Sequence, residues 1–203
     1  MIVIGLTGGI ASGKSTVSTM LRELGAYIVD ADKLSREVTL PGRPAWQEII
    51  DNFGAEILEP NGQINRKCLG QIIFTDSQAR ALLGCITHPR IEAEAMAAID
   101  HARQNGYERA VLDAPLLIEV GWHVKVDAVW VVFVDKKTQL ARLIDRDKLS
   151  CEEAISRINA QLSLEEKLKY ADIVINNSET KEKTQEQVAR AWQQMGAITP
   201  AVK

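Results

Sequence analysis

Residues 8–16 read Gly-Gly-Ile-Ala-Ser-Gly-Lys-Ser-Thr. Gly8, Gly13, Lys14 and Ser15 stand at the fixed positions of G-x-x-x-x-G-K-[ST], a spacing that makes a phosphate cradle. Such a loop wraps backbone N–H groups around phosphate oxygens, and glycine supplies the positive φ and the close approach. Gly8, Gly9, Ala11, Ser12, Gly13, Lys14, Ser15 and Thr16 are therefore the candidate nucleotide contacts. Lys14 is long enough to reach the β- and γ-phosphates of a triphosphate, and the Ser15 hydroxyl is a ligand for Mg²⁺. A helix starting at Lys14 would aim its positive end at the same phosphates.

Carboxylates come next. Asp30-Ala31-Asp32 closes an apolar run, and parallel strands open their carboxyl ends onto a ligand crevice. Strand alternation would send both aspartates to one side. There one accepts a proton from a substrate hydroxyl and the other holds water around Mg²⁺. The alternative is that Asp32 caps a helix over 34–38; beside a phosphate loop the acid–base reading is preferred. Asp113 ends a later apolar run and is the better candidate for a metal-side aspartate, or else a turn residue. Asp135, ahead of two lysines, reads as a helix cap.

Arg142 and Arg146 lie four residues apart, opposite the apolar face of Leu140, Leu143 and Ile144. They are either a solvated face paired with Asp145 or Asp147, or a lid whose guanidinium groups close over the transferred phosphoryl group. The place of this segment, after the fourth strand, favours the lid. His88-Pro89 reads as a helix start with proline at its first position, which makes His88 an N-cap, a packing residue or a ligand contact.

These residues need elements to position them. Short apolar runs at 2–7, 27–30, 110–113, 128–135 and 171–175 alternate with helical patterns. Val- and Ile-rich runs of this kind suit a parallel sheet covered on both faces, and the alternation predicts an α/β fold. Val17, Met20, Leu21 and Leu24 make one helical face, with Gly25 as its stop. The stretch from 44 to 106 is too long for one crossover. It reads as several helices: one over 44–53, a turn at Asn61-Gly62, and one capped by Asn65. Ser150-x-x-Glu153 and Ser163-x-x-Glu166 match capping boxes, and a last helix covers 182–195.

The composition suits a chain with a large core: 203 residues, 46% hydrophobic and 25% charged. A net charge of −3 gives no broad basic field, so nucleic acid is not an expected partner. No apolar run approaches the roughly 20 residues that span a bilayer. No basic segment precedes the first apolar run, so no signal peptide is expected, and the expected setting is cytoplasmic. The three cysteines are scattered and form no CxxC pair, which predicts free, buried thiols and no zinc site. The four tryptophans are spread out and read as core or pocket wall.

Taken in order, these pieces resemble a dephospho-CoA kinase over most of the chain. The resemblance rests on residues 5–16, on Ile28-Val29-Asp30-Ala31-Asp32, on His88-Pro89 and on Pro115-Leu116-Leu117 with Glu119. It continues through Arg142, Arg146-Asp147, Gln161 and the run from Ala171-Asp172 to Asn177. It implies a P-loop kinase fold: a five-stranded parallel sheet with helices on both faces, a helical substrate-binding insertion and a lid insertion. The core would be 1–59, 107–138 and 168–203, the helical substrate region 60–106 and the lid 139–167.

The implied reaction is phosphorylation of the ribose 3′-hydroxyl of dephospho-CoA by ATP with Mg²⁺. Asp32 would be the base, and Lys14, Arg142 and Arg146 would act on the phosphates. His88, Pro115, Leu116 and Leu117 would hold the pantetheine-bearing substrate, and Asn177 would lie near adenine. Ala11 stands where many members carry glycine, so that position is expected to avoid positive φ. Another small-molecule or nucleoside-monophosphate kinase is the nearest rival, and an ATP-binding regulator without transfer is the rival from a different class. A GTPase would need an N-K-x-D motif, which the chain lacks.

Overall fold

The computed structural model describes residues 1–195; residues 196–203, the end of the expected core segment, lie outside them. Strands β1 (Ile2–Gly8), β2 (Tyr27–Asp30), β3 (Arg109–Asp113), β4 (Ala128–Phe133) and β5 (Ile173–Asn176) form a parallel sheet in the order β2-β3-β1-β4-β5. β1 lies at the centre, pairing Leu6 with Asp113 of β3 and with Trp130 of β4. Both β4 and β5 are shorter or shifted relative to the apolar runs. Asp135 leaves the strand to cap the next helix, and Asp172 turns its carboxylate onto the Val129 amide at 2.7 Å.

Helices α1 (Lys14–Glu23) and α9 (Lys181–Met195) pack together on one face of this sheet. Val17 and Leu21 of α1 and Val188 of α9 are fully buried against Ile4, Leu6, Trp130 and Val132. The other residues of β1 point the opposite way. There Gly5 is a necessity of packing: a Cβ on it would meet the Leu117 side chain at 2.6 Å. Arg109 stacks its guanidinium 4.1 Å from the centre of the Trp192 ring.

The chain divides into two compact units, residues 1–29 with 99–203, and residues 30–98. The second unit opens at Asp30, where β2 ends. No strand follows β2 until β3, so everything after Asp30 is free to build its own core. That unit holds α2 (Ala31–Glu37), α3 (Pro44–Phe53), a 3₁₀ turn (Ala55–Ile57), α4 (Arg66–Thr75) and most of α5 (Ser77–Gln104). Ala45, Ile49, Ile57 and Ile86 are its buried centre, and Trp46 donates its indole N–H to the Gly62 carbonyl at 2.8 Å. Asn65 caps α4 through the amides of Lys67 and Cys68, as its position predicts.

α5 corrects one expectation. It does not begin at Pro89 but runs through it. Proline removes an N–H and crowds the preceding turn, yet buried Ile86, Ile91, Ala95 and Ile99 keep one apolar stripe across it. Thr87 donates its hydroxyl to the Leu83 carbonyl at 2.7 Å, and Arg90 donates to the Ile86 carbonyl. Side-chain donors thus occupy carbonyls in the turns that precede the proline. The cysteines correct another. Cys68, Cys85 and Cys151 are all free, but Cys85 and Cys151 are exposed.

The segment between β4 and β5 holds α6 (Lys136–Asp147), α7 (Cys151–Asn159) and α8 (Leu164–Leu168). Asp135 caps α6, and its hydrogen bonds from Thr138 hold its carboxyl below the ordinary aspartate range. Ser150 and Glu153 form a complete capping box on α7. Ser163 caps α8 through the Glu166 amide at 3.1 Å, while the Glu166 carboxylate pairs with Lys169.

Candidate active site

β1 delivers the chain to the phosphate loop, and α1 leaves it. Two residues turn the corner in the left-handed region: Gly13 at φ 87° and Ala11 at φ 58°. The Ala11 geometry overturns the expectation that an alanine there avoids positive φ. A left-handed alanine costs about 1–2 kcal/mol, so other contacts must impose it. Ile10, its neighbour, supplies them. Its N–H donates to Gln161 Oε1 at 2.9 Å, and its carbonyl accepts from Gln139 Nε2 at 2.9 Å. Two glutamines from the segment between β4 and β5 thus clamp both polar groups of one loop residue. Ser12 N donates to the Gly9 carbonyl at 3.1 Å and closes the turn.

Gly13 is the N-cap of α1, and a glycine has no side chain to cover the first amides of that helix. Those amides and the helix dipole face whatever the loop holds. This is the chemistry of an anion site, and it fits a nucleotide phosphate. Lys14 forms an ion pair with Asp113 at the end of β3, with side chains 15% and 6% exposed. So shielded a pair is not weakened by water as a surface pair is. Ser15 is exposed in the first turn of α1. Among the described residues no three His, Cys, Asp or Glu side chains gather to hold a metal. Nucleotide-bound Mg²⁺ needs only one or two protein oxygens beside phosphate and water. Ser15 and Asp113 therefore suit that ion as donors.

Asn177 is buried, and its amide is committed to the loop. Its Nδ2 donates to the Ser12 carbonyl at 2.8 Å, while its Oδ1 accepts from Thr184 Oγ1 at 2.9 Å. Its backbone carbonyl accepts from Arg142 at 2.9 Å. Arg142 is therefore tied to the segment after β5, not to an acidic neighbour on its own helix. Arg146 is exposed and forms a two-point pair with Asp147 at 2.8 and 3.1 Å, an acid that also pairs with Arg157. That pairing raises the Arg146 pKa and lowers that of Asp147.

The segment after β3 divides. Leu116 is exposed at 38%, whereas Leu117 is fully buried against Gly5. Leu117, expected beside the substrate, is a core residue. Within the second unit, Asp30 and not Asp32 is the N-cap of α2, accepting the amides of Asp32 and Lys33 at 2.9 and 3.1 Å. The strand ends at Asp30, so the two aspartates do not alternate along it; Asp32 lies in the first turn of α2. His88 is half-buried inside α5 beside Gly84, and burial pulls its pKa below the ordinary histidine value.

Three polar residues escaped the sequence reading: Gln139, Thr184 and Lys167. Lys167 is fully buried in α8. Its ammonium donates to the Pro115 carbonyl at 2.6 Å and pairs with Glu119 at 2.9 Å. Burial lowers its pKa, Glu119 opposes that fall, and the nearby charge of Lys14 adds to it. The available clue was position. Lys167 follows Leu164 by one turn, and Gln139 precedes Leu143 by one, so each puts a polar group on a buried helix face. An apolar cavity of about 540 Å³ lies between Gly9 and helices α6 and α7, lined in part by Phe133, Leu140, Ile158 and Leu162.

Known proteins match along nearly the whole chain. The sequence profile of the dephospho-CoA kinase family matches residues 2–183. A dephospho-CoA kinase from Geobacter metallireducens is 49% identical over 194 residues, 96% of each chain. One from Symbiobacterium thermophilum is 49% identical over 192 residues, 95% of this chain and 80% of that protein. Among solved structures, a Campylobacter jejuni dephospho-CoA kinase superposes with a TM-score of 0.72 at 30% identity, covering 97% of this chain and 98% of its own. An Acinetobacter baumannii shikimate kinase, at 17% identity and TM-score 0.54, covers 97% of this chain and 94% of its own and shares the fold alone. With a phosphate loop held in left-handed geometry and a family match spanning β1 to α9, this chain belongs to the dephospho-CoA kinase family.

Proposed function

We propose that the protein transfers the γ-phosphoryl group of ATP to the ribose 3′-hydroxyl of dephospho-CoA, giving coenzyme A and ADP, the last step of coenzyme A synthesis. The observation that carries this reading is the family match over residues 2–183, which contains the phosphate loop and its Lys14–Asp113 pair. The 3′-oxygen attacks Pγ. The new O–Pγ bond forms as the bond from Pγ to the bridging oxygen of ADP breaks, and the hydroxyl proton passes to a base.

Asp32 is that base. Asp30 caps α2 and Asp32 stands in its first turn; the family's aspartate motif supports Asp32 for the acid–base work. Lys14 neutralises charge on the β/γ oxygens, and the incoming triphosphate competes with Asp113 for its ammonium. Ser15 and Asp113 would hold Mg²⁺, directly or through water, and the ion would offset charge on the phosphate oxygens. Arg142 and Arg146 act from the lid, and the chain after Asn177 passes the adenine. The cavity under the lid helices supports a movable role, because an element with few buried contacts opens at low cost. His88, Pro115 and Leu116 contact the pantetheine-bearing substrate. No helix among the described residues is long and apolar enough to cross a membrane. Free, partly exposed thiols suit a reducing cytoplasm.

The test is ADP formation from ATP with and without dephospho-CoA, alongside a panel of nucleoside monophosphates and shikimate. ADP release that depends on dephospho-CoA is expected. Release that depends on another acceptor, or on none, overturns the reading.

A further inference from the structure

A closed circuit of hydrogen bonds and ion pairs runs from the phosphate loop out to the lid's return limb and back. It starts at Lys14, paired with Asp113. Two residues on, the Pro115 carbonyl accepts from Thr7 Oγ1 at 3.0 Å and from Lys167 Nζ at 2.6 Å. Between them the Ala114 amide is pinned to the Leu6 carbonyl at 3.0 Å. Lys167 Nζ also meets Glu119 Oε2 at 3.0 Å, and Glu119 Oε1 accepts the Leu162 amide at 3.2 Å. Gln161, the next residue back, accepts the Ile10 amide at 2.9 Å and so returns to the loop.

We propose that Lys167 is a positioning residue for phosphoryl transfer: it ties the lid's return limb, through Glu119, to the Pro115 carbonyl that sets the carboxylate partner of Lys14. Three features argue for it over a purely structural role. A fully buried ammonium is a poor stabiliser, since desolvation offsets much of its attraction to Glu119. Burial accordingly pulls its pKa below the ordinary lysine value, against the pull of Glu119. A methylene-rich side chain would fill the same space without that cost. What the charge adds is geometry: one atom group joins β3's exit loop to α8, and only a donor can satisfy the Pro115 carbonyl and Glu119 together. The loop then has two attachments, Lys14 and Ile10, whose separation is set by one brace. Glu119 and Gln161 have their place in the brace as its links.

The inference rests on the kinase reading, and wild-type turnover of dephospho-CoA tests that reading separately. Lys167→Met keeps the volume and removes the donor. Its kcat is expected to fall at least about 10-fold, since a small misplacement of a reacting group costs up to ~100-fold. Its KM for dephospho-CoA should stay within about twofold. Its Tm should fall, because Glu119 and the Pro115 carbonyl lose their donor, and kcat is read well below that Tm. A merely structural role gives the same fall in Tm with normal kcat. Glu119→Gln breaks the same circuit at a partly exposed site and decides the matter if Lys167→Met does not fold. Residues acting as one unit are non-additive, so the double variant should lose no more than the worse single. Amide exchange needs no substrate: in either single variant it should quicken at Ile10 and Leu162, with β4 unchanged. Normal kcat in a folded single variant, additive losses, or unchanged exchange at Ile10 would overturn the brace.

Discussion

The Asp30 carboxylate accepts the amide of Asp32 at 2.9 Å, so one aspartate of the pair is the helix cap that places the other. The two should therefore separate cleanly on substitution. Asp32→Asn is nearly isosteric and leaves the cap intact. Turnover should fall by ~10²–10⁴-fold, the range for losing a general base, while calorimetry gives wild-type ATP affinity. Asp30→Ala removes the cap and should cost about 1 kcal/mol, read as a lower Tm. Normal turnover in Asp32→Asn would move the base elsewhere.

Lys14→Ala removes the charge at the phosphates and also strands the buried Asp113. A loss of at least ~100-fold in kcat is expected, the scale for one electrostatic stabiliser. Asp113→Asn frees the ammonium without removing it but takes a carboxylate from the metal, so kcat should fall at low Mg²⁺ and recover in part as Mg²⁺ rises. Titrating kcat against Mg²⁺ checks this: a raised Mg²⁺ requirement assigns Asp113 to the ion.

Arg146 spends both ends of its fork on Asp147 at the surface. Surface pairs contribute little stability, so Arg146→Lys should leave Tm nearly unchanged. Lysine cannot reproduce a two-point guanidinium contact. A kcat lowered several-fold at constant Tm is expected; a normal kcat would return Arg146 to the solvated face.

Ala11 sits at φ 58°. Ala11→Gly relieves about 1–2 kcal/mol of left-handed strain and returns about 0.5–1 kcal/mol of backbone entropy to the unfolded chain. Tm should hold or rise by a few degrees, and ATP affinity should stay unchanged because the clamp on Ile10 persists. A fall in Tm would mean that the Ala11 methyl contributes packing that outweighs the strain.

His88 is held neutral by burial, with its folded pKa below 6.5. The unfolded chain takes up a proton as pH drops through 6.5, and the folded chain does not until lower pH. Stability is therefore lost between those two values. Urea midpoints at pH 7.5 and 5.5 check this: wild type should lose more across that span than His88→Gln. Equal losses would leave the histidine without a part in acid sensitivity.

The sequence reads well where local chemistry decides. The phosphate loop, the caps at Asn65, Asp135 and Ser150, and the five apolar strands all depend on nearby residues, and they stand where the spacing predicts, with the ends of β4 and β5 shifted. It reads badly where long-range packing overrules a local rule. Pro89 looks like a helix start, but its apolar stripe and neighbouring donors carry α5 through it. Ala11 obeys a clamp formed by glutamines more than 120 residues away in the chain. Lys167 resembles any charged residue on a short helix until Pro115 and Glu119 are brought beneath it.

The central position of β1 sets a timetable for synthesis. Ile2 pairs with Arg109 and Ile4 with Ala128. A ribosome adding ~5–20 residues per second therefore exposes an apolar first strand for roughly 5–20 s before either partner exists. During that wait residues 30–98 can gather around Ile49, Ile57 and Ile86. The nascent chain thus carries β1 as an unpaired apolar strand ahead of a unit with its own core. That wait ends when β3 and β4 close around it.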